Sequence, residues 1–192
     1  MAIETASTTS ASELEQLVQR TIADILAKKE AEKQYKPKKI AIIATKGTLD
    51  WAYPPLVLAG TAASLGWDAG IFFTFYGLNI VHKEKSKHIG IAPIANPAMP
   101  MPVPVPNLLG SLPGMTPFAT YMMKRKFKDK GVASIPELTE TCFETGVKMY
   151  PCGMTMRVFG YEPSDFMEGC EEICGAAHFL SWASDADITL AF

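Results

Sequence analysis

Residues 39–45 read KIAIIAT, a short apolar run with β-branched Ile40, Ile42 and Ile43 and no alternation of polar and apolar positions. Such a run is expected of a strand buried on both faces, as in a parallel sheet. Gly47 then supplies a turn and Asp50 a helix cap, and the following segment reads as a helix to about Leu65. Pro54 and Pro55 are compatible with that helix near its first turn, and Gly66 ends it. Ala69 to Tyr76 (AGIFFTFY) is a second buried strand, so the whole stretch forms a βαβ unit. Downstream, strands are expected at Val147–Cys152 (VKMYPC) and Ile188–Phe192 (ITLAF). Helices are expected at Thr116–Lys130, at Ile135–Gly146 with Ser134 as cap, at Gly153–Phe159 closed by Gly160 and Pro163, and at Gly175–Ala183. The segment Met167–Cys174 is ambiguous. The alternation predicts an α/β fold: a mainly parallel four- or five-stranded sheet with helices on both faces, in flavodoxin- or Rossmann-like layering.

Upstream of this unit, residues 1–11 are rich in Ser, Thr and Ala and are expected to be a mobile tail. Ser12 with Glu15 forms a capping-box pattern, and Leu14, Leu17, Val18, Ile22, Ile25 and Leu26 make one apolar stripe on a helix closed by Pro37. The organisation is therefore a tail, an N-terminal amphipathic helix and linker over 12–38, and an α/β domain over 39–192. The stripe either packs on the domain or pairs with a copy of itself.

Of 192 residues, 48% are hydrophobic and 20% charged, a globular balance, and the net charge is −2. A dedicated nucleic-acid binder is expected to be far more basic. The N-terminus has neither the basic nor the apolar region of a secretory signal, which points to a reducing cytoplasm. From Ile89 to Met123 there is no charged residue, a length that could span a bilayer, but the stretch holds eight prolines and could not satisfy its backbone in lipid. It is read as a loop that forms a homo-oligomer interface and walls the site, and no integral membrane segment is expected.

Four cysteines stand at 142, 152, 170 and 174, with no C-x-x-C pair. Cys152 ends a strand and precedes a helix, where free N–H groups and the helix dipole favour a thiolate. The alternative is a buried structural thiol. Cys170, Cys174 and His178 are spaced four apart and would share a face on a continuous helix, but Gly169 and Gly175 interrupt it and a fourth metal ligand is missing. Cys170 or Cys174 is more credible as a resolving thiol for Cys152. Cys142 reads as packing, the basic run Lys124–Lys130 as a solvated helix end or an anion-docking surface, and His82 and His88 as solvated. Thr45-Lys46-Gly47-Thr48 lacks the phosphate-loop pattern and no dinucleotide fingerprint is present, so no cofactor and no metal are expected.

The blocks ATKGTLDWAYPPLVLAGTAASLG, GIFFTFYGLNIV, NPAMPMPVPVPNLLGSLPGM, MMKRKFKDKGVASIPEL, VKMYPCGMTMRVFG and ADITLAF resemble the DsrE/DsrF/DsrH-like sulfur-trafficking family, in its second DsrE branch, over Lys39–Phe192. The resemblance implies a homo-oligomer that carries sulfane sulfur on a cysteine, here Cys152, and exchanges it with TusA-like carriers and rhodanese-like donors. Two departures stand out. Arg157 occupies a position that is often acidic in the family, and Cys170 and Cys174 are extra to the pattern. The rival classes are a thiol redox protein, peroxiredoxin-like or disulfide-exchanging, and an oligomeric scaffold with inert thiols.

Overall fold

The computed structural model describes residues 11–92 and 114–192. The expected tail and most of the expected interface in the Pro/Met loop therefore lie outside the described residues. Two compact units follow one another, one ending at Pro37 and the other spanning Lys38–Phe192. The first is the helix α1 (Ala11–Tyr35), which begins one residue before the proposed Ser12 cap and stops two residues short of Pro37.

The second unit is built on four strands, β1 (Lys39–Ala44), β2 (Asp68–Phe73), β3 (Lys148–Pro151) and β4 (Ile188–Ala191). Their order is β3-β2-β1-β4 and every pairing is parallel. Helices α2 (Leu49–Ser64), α3 (Leu78–Val81), α4 (Met115–Asp129), α5 (Ile135–Glu144), α6 (Gly153–Phe159) and α7 (Ala176–Ala183) complete it. The chain steps outward from β1 to β2 to β3, then returns across the sheet to β4 on the far side of β1. Crossovers of one hand that reverse direction must change faces. The outward crossovers accordingly lie on one face, where Ile42, Ile71 and Met149 join Leu56 of α2 and Ile135 of α5 in the larger core cluster. The return crossover lies on the other, where Phe179 of α7 joins Ala41, Phe72 and Tyr150. Gly70 of β2 lies on that second face because the Trp182 ring occupies the space a Cβ would need.

Three local expectations are revised. Asp50 lies in the first turn of α2, and Thr48 holds the cap position. Pro54 and Pro55 fall in the second turn, depriving the carbonyls of Asp50 and Trp51, two exposed residues, of helical donors. The second strand ends at Phe73, and Phe75–Gly77 forms a 3-10 turn in which Phe75 has a left-handed φ of 47°. Ser134 does cap its helix, in a full capping box with Glu137. Among the described residues no helix is long and apolar enough to cross a membrane.

Candidate functional site

The carboxyl ends of β2 and β3 lie side by side, with Phe73 paired to Pro151. The next residues outward are Thr74 and Cys152, and the amide of Cys152 donates to the Phe73 carbonyl at 2.9 Å. Cys152 is also the N-cap of α6, its carbonyl accepting from Met156 at 3.0 Å. The pleat turns Cys152 to the same face as Tyr150, into the smaller cluster.

Its surroundings come from two separate loops. Thr155, buried on the first turn of α6, sets its hydroxyl 3.1 Å from that of Thr74 and accepts from the Phe75 amide at 3.2 Å. Phe75 itself takes a left-handed φ, and the chain turns there into the 3-10 turn. Two glycines hold the turn. A Cβ on Gly47 would collide with the Tyr76 carbonyl, and one on Gly77 with the Ala44 carbonyl, so the loops after β1 and β2 lie backbone against backbone.

Burial raises the Cys152 pKa. The backbone N–H and hydroxyl of Thr155, the Thr74 hydroxyl and the Met154 N–H act the other way and prevail, so the thiol lies below its ordinary value. The other three cysteines are displaced upward. Burial takes Cys142 to about 11 against a lowering contribution from the Gly60 backbone. Burial, with a smaller push from Glu171, takes Cys170 to about 12. Cys174 is raised by burial and by the charge of the neighbouring Cys152.

The ambiguous segment Met167–Cys174 is not helical, and the helix expected from Gly175 begins at Ala176. Its last part runs beside β3: Glu171 donates to the Met149 carbonyl at 2.8 Å, Cys174 to the Pro151 carbonyl at 3.1 Å, and Gly153 to the Cys174 carbonyl at 3.0 Å. Cys152 and Cys174 thereby become partners in a parallel bridge, with both side chains in the smaller cluster. Cys170 packs instead against the larger cluster, and His178 is exposed, so the four-residue spacing does not bring the three together. No group of three or more His, Cys, Asp or Glu among the described residues is arranged to hold a metal. Cys142 is buried in α5 with its thiol donating to the Leu56 carbonyl at 3.3 Å. His82 is buried rather than solvated, its Nδ1 accepting from the amides of Glu84 and Lys85 at 3.2 and 3.4 Å.

Thr74 and Thr155 are absent from the reading of the sequence. The spacing Cys152-x-x-Thr155 carries the signal for one of them, since it puts a hydroxyl on the first helical turn behind an N-cap thiol. Nothing local announces Thr74.

A model of the DsrE/DsrF/DrsH-like family matches residues 36–191. The chain belongs to that family. Among its relatives, the sulfur carrier protein DsrE2 of Allochromatium vinosum is 50% identical over 157 residues, covering 80% of this chain and 97% of the relative. YrkE of Bacillus subtilis is 28% identical over 157 residues, covering 80% of this chain and 96% of the relative. The family match ends within β4 and takes in all four strands, so the site described above lies wholly inside it.

Proposed function

We propose that this protein is a sulfur carrier that holds sulfane sulfur on Cys152 and exchanges it with thiol partners, a TusA-like carrier and a rhodanese-like donor. The supporting observation is the opposite displacement of the thiols: Cys152 is lowered, while Cys142, Cys170 and Cys174 are raised. The name of the Allochromatium relative agrees with this reading. At neutral pH the thiolate is the attacking species. It takes the outer sulfur of a donor persulfide, forming the Cys152 persulfide as the donor's own sulfur leaves as a thiolate. With tetrathionate it attacks an inner sulfur and displaces thiosulfate, leaving a thiosulfonate on Cys152. The N–H of Met154 and the N–H and hydroxyl of Thr155 suit the sulfur-bound negative charge of either product. An acceptor thiolate then attacks the outer sulfur and regenerates Cys152. Such a carrier belongs in a reducing compartment.

The bridge between Cys152 and Cys174 favours a second reading. A Cys174 thiolate attacking the inner sulfur of the Cys152 persulfide would release hydrosulfide and leave a Cys152–Cys174 disulfide, to be reset by an external dithiol. Cys170, facing the other core cluster, has no part in either scheme. Mass spectrometry after polysulfide or tetrathionate separates them. The carrier predicts an adduct on Cys152 that persists when Cys142, Cys170 and Cys174 are all replaced and disappears in Cys152→Ser. Rapid conversion of that adduct to an internal disulfide would favour the redox reading. An adduct that survives Cys152→Ser overturns both.

A further inference from the structure

Part of the basic run of α4 faces inward. Thr120, Lys124, Phe127 and Lys128 are spaced three and four apart and share one side of the helix. That side is turned toward the domain: the Thr120 hydroxyl accepts from the Ile91 amide at 3.2 Å, and the Phe127 ring meets Tyr53 edge-on at 5.0 Å. No residue of α4 is fully buried, so the helix leaves space beneath it. A cavity of about 450 Å³ lies there, between α4, the start of α5 and residues 86–89. Its size is that of a small-molecule site. The walls are apolar, with Leu49, Ile89 and Ile135 buried and the Tyr53 hydroxyl already spent on the Ala133 carbonyl at 2.9 Å.

The charged groups lining this cavity are unevenly satisfied. Lys87 is paired with Glu84 at 2.9 Å, and the Glu137 carboxylate is taken up by the amide and hydroxyl of Ser134 at 2.7 and 2.8 Å. Those two bonds, with a smaller contribution from the charge of Lys128, lower the Glu137 pKa. Lys124 has no such compensation. Its ammonium donates to the Lys87 carbonyl at 3.3 Å and pairs with no carboxylate among the described residues. Burial lowers its pKa, as expected of a cation partly removed from water. The stretch Ile89–Met123 carries no acid, so it has no counter-ion to offer Lys124. An uncompensated ammonium over apolar walls suits one anionic head on an apolar body. We propose that the cavity between α4 and α5 binds a small organic carboxylate, its head on Lys124 with Lys128 beside it, and its hydrocarbon or aromatic body against Tyr53, Ile89 and Phe127. These walls belong to the larger core cluster, whereas Cys152 belongs to the smaller one, so the site is separate from the thiol.

Calorimetric titration of the full chain with octanoate, 1-octanol and acetate tests this, since octanoate alone of the three has both head and body. Octanoate should bind once per chain, and about tenfold or more tightly than either octanol or acetate. Lys124→Gln should weaken octanoate about tenfold and leave octanol unchanged, while Lys124→Arg should keep most of the affinity. Val132→Trp, at the exposed rim of the cavity, should block octanoate by filling the space. Lysine acetylation followed by mass spectrometry locates the ligand: octanoate should protect Lys124 and not Lys126, which is exposed on another side of the same helix. Octanoate that binds no better than octanol, that is indifferent to Lys124→Gln, or that leaves Lys124 unprotected overturns the proposal.

Discussion

On one face of the sheet, Ile42, Ile71 and Met149 lie in one cluster with residues of α2 and α5; on the other, Ala41, Phe72 and Tyr150 cluster with Phe179 of the eight-residue α7. Both faces bury thiols. Cys142 on the thick face is 1% exposed and Cys152 on the thin face 4% exposed, so they are almost equally withdrawn from water. Yet Cys142 is driven up to about 11 and Cys152 is drawn down. Burial raises both thiols, more heavily at Cys142, and the groups that oppose it differ. The supply of donors differs too: the carboxyl edge of the sheet offers Cys152 the first turn of α6 and two hydroxyls, while Cys142 is met only by the Gly60 backbone.

The contrast breaks most sharply at the thiols themselves. Cys152→Ser should abolish loading by tetrathionate, while Cys142→Ala should leave it intact; mass spectrometry of both variants decides, and loading on Cys142 would end the distinction. Packing comes next. Phe73→Ala on the thick face should cost about 3–5 kcal/mol in urea unfolding, and Phe179→Ala about 3 kcal/mol or less, because a short helix over a thin face can collapse into the gap. Equal losses would mean that the two faces are equally deep.

Alkaline stability should separate the faces as well. Cys142 titrates in the folded protein at about 11 against an ordinary 9.0, so its contribution is intact below pH 9 and is lost as the pH rises toward 11. The loss should be roughly 2–3 kcal/mol and should vanish in Cys142→Ala. Cys152 has the opposite sign: its folded value is depressed, so its ionisation adds stability at high pH and that gain disappears as the pH falls through the folded value. Thr155→Ala should raise the Cys152 pKa, move the pH profile of iodoacetamide alkylation to higher pH, and slow alkylation at pH 7 by about tenfold. Thr155→Ser should restore most of the rate. The smallest effect is expected at Arg157, which is exposed on the last turn of α6: Arg157→Glu should change loading by less than about twofold, since solvent screens that charge from the thiol.

The βαβ frame and the place of Cys152 at a strand-to-helix junction are legible because they depend on local features. KIAIIAT announces a central strand by its composition, and the step from VKMYPC into a helix is visible within a few residues. Gly160, at a φ of 67°, closes α6 where the sequence places the break. The supports of Cys152 were not legible, because they arise between distant segments. Thr74 and Thr155 are 81 residues apart and meet only once β2 and β3 pair. Cys174 stands next to Cys152 because the carbonyls of Met149 and Pro151 take up a segment that has no periodicity of its own. His82 sits in a charged stretch and reads as solvated, yet two backbone amides and the rings of Tyr161 and Phe166 enclose it.

Gly47 and Gly77 touch no sulfur. They let the loops after β1 and β2 close on each other, and that closure points the Phe75 amide at Thr155 and keeps the Thr74 hydroxyl beside it. A methyl group at either position would part the loops and withdraw both hydroxyls from the thiol. The two glycines therefore belong to the setting of Cys152 although neither contacts it. A side chain at Gly47 or Gly77 would alter the surroundings of Cys152 while every thiol remained in place.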